Sequence, residues 1–442
     1  MDRTLRAGVA RVNVTPAVGF DWMADFMILQ PAKGVAGELM ARALVLDDGR
    51  TQAAIVTADL LWFSGEIVAA VRSYVEQLTG IPGSNVILNA SHTHASAEVD
   101  TDYGASREYI AELAKKVAGA IYMAWQAREE VRVGYGSGSC PISISRWRRT
   151  EDACEWAPAP ESPVDHEVGV LRVDRVDGSP LVVLVNYPAH PSMFNSPQFL
   201  CYSAEYPGFM CEVVEQHFGA NTMAMMLMGA GGDVKIKRDT PEGPVFAVAD
   251  VAETRQAGHD LAVVAIEVAE QATRGHGNEL SMQARCVDLP LVAPMAIEQY
   301  EAEALSISRD TNARPSERYR REWAEASAQM VRAGCVPAAV SMEVQLLRIG
   351  RDIAIFATPG ELFNEVGQHL KRVLGAPGAF VAAYCNDTPR VGYLPSKRVQ
   401  EWGWCELDHQ LKYFTRPYLP SNFSGEVEAV LVTAAQAMMQ SG

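Results

Sequence analysis

The most informative segment is Asn85-Val-Ile-Leu-Asn-Ala-Ser-His-Thr-His-Ala-Ser-Ala-Glu98, because a short apolar run leads directly into paired histidines. Residues 86–90 follow the turn residues Ile81-Pro-Gly-Ser84, which predicts a buried strand of a sheet covered on both faces. In open α/β sheets, ligands bind beyond the carboxyl ends of strands. At such an edge, one of His92 and His94 can bind a metal while the other moves protons. The spacing alone is weak evidence, so a purely structural role for either histidine stays open.

Two later segments repeat this pattern of an apolar strand that ends in a polar loop. Residues 180–187 lead into Pro188-Ala-His-Pro191, and residues 222–228 lead into Gly229-Ala-Gly-Gly-Asp233. Because the carboxyl ends of neighbouring strands share one sheet edge, the three units predict a single site.

The remaining periodicity predicts alternating strands and helices. The apolar runs at 40–46 and 52–58 flank Asp47-Asp-Gly-Arg50 and are typical of a hairpin. The segment between the predicted strands 131–136 and 168–174 is polar and proline-rich, and we expect no strand there. Glu361 is expected to open a helix that runs through Leu370. Further helices are predicted near 64–78, 109–125, 246–273, 294–333 and 426–438, and further strands near 7–16, 341–349, 353–357 and 380–383.

These elements predict an α/β fold with mixed β-sheets covered by helices. The chain has 442 residues, of which 48% are hydrophobic and 21% are charged, values that suit a globular protein with an ample core. No linker composition marks a domain boundary. We therefore expect a single domain over 1–442, with a helical insertion or lid at about 294–335.

The net charge and the hydropathy of the chain indicate which partners and which compartment to expect. A net charge of −16 argues against nucleic acid, since phosphate backbones are bound by cationic patches. No run approaches the roughly 20 apolar residues of a membrane span, and the first ten residues lack a signal-peptide pattern. The eight cysteines form no Cys-x-x-Cys pair and suggest buried thiols. We expect a cytoplasmic protein without stable membrane association, and a homo-oligomer is left open.

The order of the short motifs resembles the amino-terminal catalytic domain of the neutral (non-lysosomal) ceramidases, which are zinc-dependent amide hydrolases. Each match is weak by itself, and the strength of the resemblance lies in their order over most of the chain. The matching pieces are Ala7-Gly-x-Ala-x-Val-x-Val-Thr-Pro16, Ser91-His-Thr-His94, Ala189-His-Pro191, Ser203-Ala-Glu-Tyr-Pro-Gly208, Gly232-Asp-Val234, Pro359-Gly-Glu361 and Gly392-Tyr393.

The resemblance implies a role for each matched site residue. The implied zinc ligands are His92, His190, Glu361 and Tyr393. Two histidines and a glutamate are a familiar catalytic zinc set, whereas a tyrosine ligand is less usual. The resemblance further implies that His94 exchanges protons with a metal-activated water or the leaving group. It implies that Arg146 binds developing negative charge.

Several positions depart from the family pattern. Lys235 follows Gly232-Asp-Val234 where the family has a serine, and the family's second catalytic tyrosine falls near Trp404 and Cys405. Ala95-Ser-Ala-Glu98 replaces glycines. No segment corresponds to the family's carboxy-terminal β-sandwich domain, so we expect a divergent member lacking it. The departures favour the same metal chemistry on a different substrate, with Lys235 as a further catalytic-site cation or, alternatively, a solvent-facing side chain.

The sequence therefore predicts a zinc-dependent hydrolase that uses a metal-activated water on the amide bond of a small soluble N-acyl compound other than ceramide. Two alternatives stay open. One is an esterase, lactonase or carbohydrate-processing enzyme on the same scaffold. The other is a non-catalytic binding protein that retains the fold.

Overall fold

The computed structural model describes residues 4–24, 30–100, 105–151, 154–194, 199–248, 251–274, 277–307, 315–402 and 418–441. The helices in these ranges are α1 (Gly65–Thr79), α2 (Arg107–Gln126), α3 (Glu205–Phe218), α4 (Val251–Gln271), α5 (Ile297–Ser306), α6 (Pro315–Ala333), α7 (Asn364–Leu374), α8 (Lys397–Glu401) and α9 (Val427–Gln440). None of them combines the length and the apolar composition needed to cross a bilayer.

The strands of the described ranges fall into several sheets. In chain order they are β1 (Arg6–Asn13), β2 (Gly34–Val35), β3 (Met40–Asp47), β4 (Gln52–Ala58), β5 (Val86–Ala90), β6 (Glu129–Ser139), β7 (Ser143–Arg149), β8 (Cys154–Ala159), β9 (Glu167–Arg175), β10 (Pro180–Tyr187), β11 (Cys201–Tyr202), β12 (Met223–Met228), β13 (Val234–Thr240), β14 (Gly243–Phe246), β15 (Thr273–Arg274), β16 (Leu280–Pro290), β17 (Ala339–Ile349), β18 (Ile353–Ala357), β19 (Glu361–Leu362), β20 (Gly378–Ala382) and β21 (Tyr393–Leu394).

The largest sheet brings the predicted strand ends together by curling on itself. Its strand order is β12-β10-β9-β6-β1-β3-β4-β5, and only the pairs β4–β5 and β10–β12 in this order are parallel. Although β5 and β12 are its outermost strands, they meet: the amide N–H of Met228 donates to the side-chain oxygen of Asn89 at 2.8 Å. Both residues lie at the carboxyl ends of their strands. The three predicted strand-to-loop units therefore share one edge.

A second sheet, β16-β17-β18-β20, packs face to face on the first. The interface between the sheets is an apolar core to which Ile55, Ile87 and Leu184 contribute from the large sheet and Leu347 and Ile355 from the small one. Helices cover the outer faces, with α2 on β1 and β3, α4 on β6 and β9, and α7 on β20. This arrangement confirms the predicted α/β class with mixed, helix-covered sheets.

The prediction of no strand between 136 and 168 was wrong. This segment forms β7 and β8, which join β13 and β14 in a small sheet of order β14-β13-β7-β8. Trp147 and Trp156 lie opposite each other in the β7–β8 pair, with their rings edge to face at 5.4 Å. Aromatic cross-strand pairs stabilise antiparallel strands, and here they outweigh the polar, proline-rich composition.

The prediction that Glu361 opens a helix was also wrong. Glu361 belongs to the short strand β19 and pairs with Tyr393 of β21, while α7 begins three residues later at Asn364. The amide N–H of Glu361 donates to the carbonyl of Gly392, and the Asp233 carboxylate accepts the N–H of Asn364 at 2.7 Å. Asp233, and not Glu361, therefore satisfies the helix terminus.

Two helices, α5 and α6, occupy the segment in which an insertion or lid is expected. They pack against each other through buried Tyr300 and Trp323, whose rings lie 5.5 Å apart. The indole N–H of Trp323 donates to the carbonyl of Leu419 at 2.8 Å, which ties the pair to the chain ahead of α9. A lid function for this segment stays a prediction.

Candidate metal centre

Three buried side chains from three different strand ends converge on one point. The Nε2 atoms of His92 and His190 lie 3.1 Å and 3.2 Å from Oε2 of Glu361. Ligand atoms around a tetrahedral ion with bonds of about 2.0–2.1 Å lie about 3.3 Å from one another. The three side chains are therefore spaced as a metal-ligand set.

Hydrogen bonds fix which nitrogen of each imidazole faces this point. Nδ1 of His92 lies 2.8 Å from the carbonyl of Leu61, and Nδ1 of His190 lies 2.7 Å from the carbonyl of Gly231. A carbonyl only accepts, so each Nδ1 carries the proton and each Nε2 presents a lone pair. Within the described part of the chain, Nε2 of His190 and Oε2 of Glu361 have no hydrogen bond of good geometry. A metal ion would satisfy both atoms.

The ionisation states of the converging groups also suit a metal. Burial, with the positive charge of Arg146 and the neighbouring His92, lowers the pKa of His190 well below its ordinary value, so this imidazole is neutral. Burial would raise the pKa of Glu361, but His92 and His190 hold it well below its ordinary value. Metal ligands must be deprotonated, and His190 and Glu361 are.

His92 reaches the centre through a strained turn directly after β5. Its φ is 65°, a left-handed conformation that costs a non-glycine residue about 1–3 kcal/mol. The amide N–H of His92 donates to the carbonyl of Leu60 at 2.8 Å, and its ring is fixed by the bond to Leu61. These two bonds to the segment that follows β4 hold the strained turn and orient the imidazole towards Glu361.

Tyr384 supports both histidines, and sequence reasoning missed it. Its ring stacks on His92 with 4.4 Å between centroids, and its hydroxyl lies 3.4 Å from Nδ1 of His190. The hydroxyl is therefore on the side of His190 that faces away from Glu361. Burial and the nearby Glu361 raise the pKa of Tyr384 well above its ordinary value, so it remains a neutral phenol. Its position just after the buried strand β20 is the same strand-end pattern that points to His92.

Tyr393, the predicted fourth ligand, lies beside Glu361 on the adjacent strand β21. It is buried, and its ring centroid is 5.1 Å from the guanidinium carbon of Arg146. This placement brings Tyr393 to the centre, while ligation by its hydroxyl stays a prediction.

His94 is half-buried and stands beside the converging trio. Its ring centroid lies 5.1 Å from that of His92 and 5.5 Å from that of His190. One nitrogen from each of the three imidazoles lies within 4.8 Å of the others, so this histidine group is able to hold a metal ion. The role of His94 as a neighbour of the ion that moves protons stays a prediction.

A β-bulge lies opposite Arg146 in the β7–β8 pair. Ser145 pairs with Ala159 and Trp147 pairs with Trp156, so Arg146 alone faces two residues of β8, and the extra residue belongs to β8. Bulges re-aim side chains and are common beside active sites. The Arg146 side chain is buried and contributes to the low pKa of His190.

Lys235 also lies at the centre, because it forms an isolated parallel bridge with His190. Its side chain is half-buried, with Nζ 5.4 Å from the ring centroid of Trp156. The structure therefore brings the Arg146 side chain and the backbone of Lys235 next to the metal-ligand set. The positions predicted to replace the family's second tyrosine, Trp404 and Cys405, lie outside the described residues.

Glu205 is a fully buried carboxyl group behind the paired histidines, and no role was predicted for it. It accepts the amide N–H of Met193 at 2.8 Å, and Thr93 Oγ1 lies 3.5 Å away. Burial raises the pKa of Glu205 to about 8, although the Met193 N–H and the charge of Lys235 lower it. Glu205 therefore links the loop that carries His94 to the loop that carries His190. Its carboxyl group is protonated at neutral pH.

Glu205→Gln is expected to gain stability relative to the wild type as the pH rises from 5 to 8. The folded pKa lies above the ordinary value of 4.5, so the folded state binds more protons across this window and wild-type stability falls with rising pH, by at most about 1.4 kcal/mol per pH unit. Glutamine resembles the protonated acid and does not ionise, so the variant does not lose stability in this way as the pH rises. Denaturant unfolding at several pH values measures the difference.

Glu212→Gln is the matched control, since Glu212 lies on the same helix with a half-exposed side chain. The difference in unfolding free energy between Glu212→Gln and the wild type should not change with pH in this way. If the difference in unfolding free energy between Glu205→Gln and the wild type does not change with pH, the carboxyl group of Glu205 is ionised in the folded wild-type protein.

Solved structures with the same fold are neutral ceramidases, although no protein-family model matches the chain. A neutral ceramidase from Pseudomonas aeruginosa superposes with a TM-score of 0.73 and 17% identity, covering 100% of this chain and 75% of that one. A ceramidase complexed with C2 gives a TM-score of 0.73 and 16% identity, covering 99% of this chain and 75% of that one. The chain therefore has the fold of the neutral ceramidases, which confirms the resemblance in the order of its motifs.

Proposed function

We propose that this protein is a zinc-dependent hydrolase that cleaves the amide bond of a small soluble N-acyl compound. The observation that carries the proposal is the convergence of His92, His190 and Glu361 within a ceramidase fold. In this proposal these residues and Tyr393 hold the ion. Two imidazoles and a carboxylate are a familiar catalytic zinc set.

When bound, zinc supplies a Lewis acid that activates water and polarises the carbonyl. Hydrolysis adds water across the amide C–N bond and yields a carboxylate and an amine, so one proton must reach the leaving nitrogen. His94 is half-buried beside the ligands and is the group we assign to that transfer. Arg146, which is buried near His190, stabilises negative charge on the carbonyl oxygen. Tyr384 holds the ring of His92 in place.

We propose a substrate other than ceramide because the chain places Lys235 beside His190. A half-buried cation next to a metal ion favours a polar or anionic substrate over an uncharged lipid. The ceramidase names of the similar structures apply to those proteins. A cytoplasmic location stays a prediction of the sequence.

The test is hydrolysis of a panel of matched N-acyl amides, esters and lactones by the zinc-loaded protein. We expect release of free amine from amides, loss of activity with a chelator and recovery with added zinc. Cleavage of esters or lactones without any cleavage of amides would favour the alternative on the same scaffold. Stoichiometric zinc without turnover of any acyl compound would favour a binding protein.

Tyr393→Phe is expected to weaken zinc binding by at least about 10-fold, since it removes a proposed ligand oxygen. Tyr384→Phe is the matched control, because phenylalanine keeps the stack on His92 and the lost hydroxyl faces Nδ1 of His190. Its zinc affinity should stay within about 3-fold of the wild type. Competition with a chelating dye measures the zinc affinity of both variants. The reverse order of effects would assign the ligand role to Tyr384.

A further inference from the structure

Helix α3 begins at a strained and fully buried residue, which lies beside two loops of the metal centre. Glu205 has a φ of 48°, a left-handed conformation that is unfavourable for a residue with a Cβ atom. The Ser203 hydroxyl accepts the amide N–H of Glu205 at 3.0 Å and helps to hold this conformation. Strained backbone of this kind persists where the surrounding structure fixes it, and it is common at functional sites.

The Glu205 carboxyl group connects the two loops. Its Oε2 accepts the amide N–H of Met193 at 2.8 Å, in the loop that follows β10. Its Oε1 lies 3.5 Å from Oγ1 of Thr93, the residue between the paired histidines. Close by, the amide N–H of His94 donates to the carbonyl of Pro191 at 3.1 Å. The two loops are therefore joined at neighbouring positions, once directly and once through Glu205.

The hydrogen bonds of Thr93 determine which partner supplies the proton in its contact with Glu205. A threonine hydroxyl has one proton and two lone pairs. Oγ1 of Thr93 donates its proton to the carbonyl of Ser203 at 2.8 Å and accepts the amide N–H of Ala95 at 3.2 Å. The lone pair that remains can only accept, so Oε1 of Glu205 must be protonated to bond to it. The pKa of Glu205, which burial raises to about 8, agrees with this assignment.

The imidazoles of the proposed zinc ligands are oriented by other groups. The Nδ1 atoms of His92 and His190 are bound by carbonyls in the segments that follow β4 and β12. His94, in contrast, directly follows Thr93, whose hydroxyl takes part in the Glu205 network. Loss of the Glu205 contacts should therefore displace His94 more than the ligands.

We propose that Glu205 is a positioning residue that acts as a neutral hydrogen-bond donor and places His94 beside the zinc ligands through Thr93. The acid needs no charge for this role, since one oxygen accepts the N–H of Met193 and the other donates to Thr93. The expected effect on turnover rests on the proposed hydrolase function, in which His94 moves the proton. The placement of the His94 ring is independent of that function.

Two substitutions of Glu205 separate its hydrogen bonds from its volume. Glu205→Met removes the polar atoms at similar volume, whereas Glu205→Gln keeps an acceptor for Met193 and a donor for Thr93. Glu205→Met should retain zinc, lower kcat by about 10–100-fold and leave KM within about 3-fold, because a misplacement of about 1 Å has an effect of this size. Glu205→Gln should recover most of the turnover. Glu212→Met, on the same helix with a half-exposed side chain, is the matched control and should behave as the wild type.

NMR of protein labelled at histidine Cε1 measures the placement of His94 without any turnover. The His94 resonance is the one that is absent from His94→Ala. We expect it to shift in Glu205→Met and to stay near the wild-type frequency in Glu205→Gln and Glu212→Met. An unshifted resonance or an unchanged kcat in Glu205→Met would overturn the positioning role. Equal shifts in the methionine and glutamine variants of Glu205 would overturn it as well.

Substitutions of Thr93 test the same contact, even if Glu205→Met fails to fold. Thr93→Val keeps the shape of threonine without its hydroxyl, and Thr93→Ser keeps the hydroxyl. The valine variant should shift the His94 resonance and lower kcat, and the serine variant should do neither. Since Glu205 acts through Thr93, the variant with both Glu205→Met and Thr93→Val should lose no more turnover than either single variant. Losses that multiply would contradict action through Thr93.

The NMR measurement separates this inference from the proposed function. Absence of hydrolysis by the wild type and every variant would overturn the amidase proposal. A His94 resonance that still responds to Glu205→Met and Thr93→Val would then support the positioning role. Hydrolysis by a protein whose His94 resonance responds to neither substitution would overturn the positioning role alone.

Discussion

His92→Ala and His190→Ala are each expected to reduce bound zinc from about one ion per chain to a trace. Each substitution removes an Nε2 that lies 3.1 Å or 3.2 Å from Oε2 of Glu361. Loss of a buried imidazole removes one of the two nitrogen donors of the proposed set, and we expect the single imidazole and the oxygen donors that remain to bind zinc too weakly to retain it. Elemental analysis after dialysis against a weak chelator measures the zinc content.

His217→Ala is the control for this experiment, because His217 is an exposed residue of α3 that pairs with Glu270 at 2.9 Å. It should keep the wild-type zinc content. Glu361→Gln nearly preserves side-chain volume and should also lose zinc. It therefore tests the ligand assignment even if an alanine variant fails to fold. Undiminished zinc in both the His92→Ala and His190→Ala proteins would rule out the ligand assignment.

His94→Ala is expected to retain zinc and to lose about 10²–10⁴-fold in turnover. His94 is half-buried, and its ring centroid lies more than 5 Å from those of His92 and His190, which places it beside the ligand set. Without its imidazole, no group in the proposed mechanism delivers the proton to the leaving amine. Zinc analysis and amide kinetics on the same protein sample test both halves of the expectation.

The expected zinc retention and the expected loss of turnover are contradicted by different results. Loss of zinc from His94→Ala would assign His94 to the ligands, as the separation of at most 4.8 Å among the three imidazole groups permits. Full activity with full zinc would remove the proton-transfer role. His94→Gln is a useful companion, because it keeps a polar side chain without supplying a group that titrates near neutral pH.

The elements whose character is local follow from the sequence alone. Strands β5, β10 and β12 are apolar runs long enough to be buried, and each leads into a loop that carries a polar side chain, namely His92, His190 or Asp233. That pattern is sufficient to place His92 and His190 at strand ends. The hairpin of β3 and β4 is fixed by the turn sequence between them. The order of short motifs then predicted the fold.

Which of these strand ends meet, and what surrounds them, depends on tertiary packing. The contact of Asn89 with Met228 closes the large sheet over 139 positions of sequence, and no local pattern encodes that distance. The bulge opposite Arg146 lies in β8 and exists only because β7 pairs with β8, and the role of Glu361 depends on pairing with β21. Tyr384 supports His92 through a ring contact formed only after packing. These features are non-local, since each requires partners that folding alone brings together.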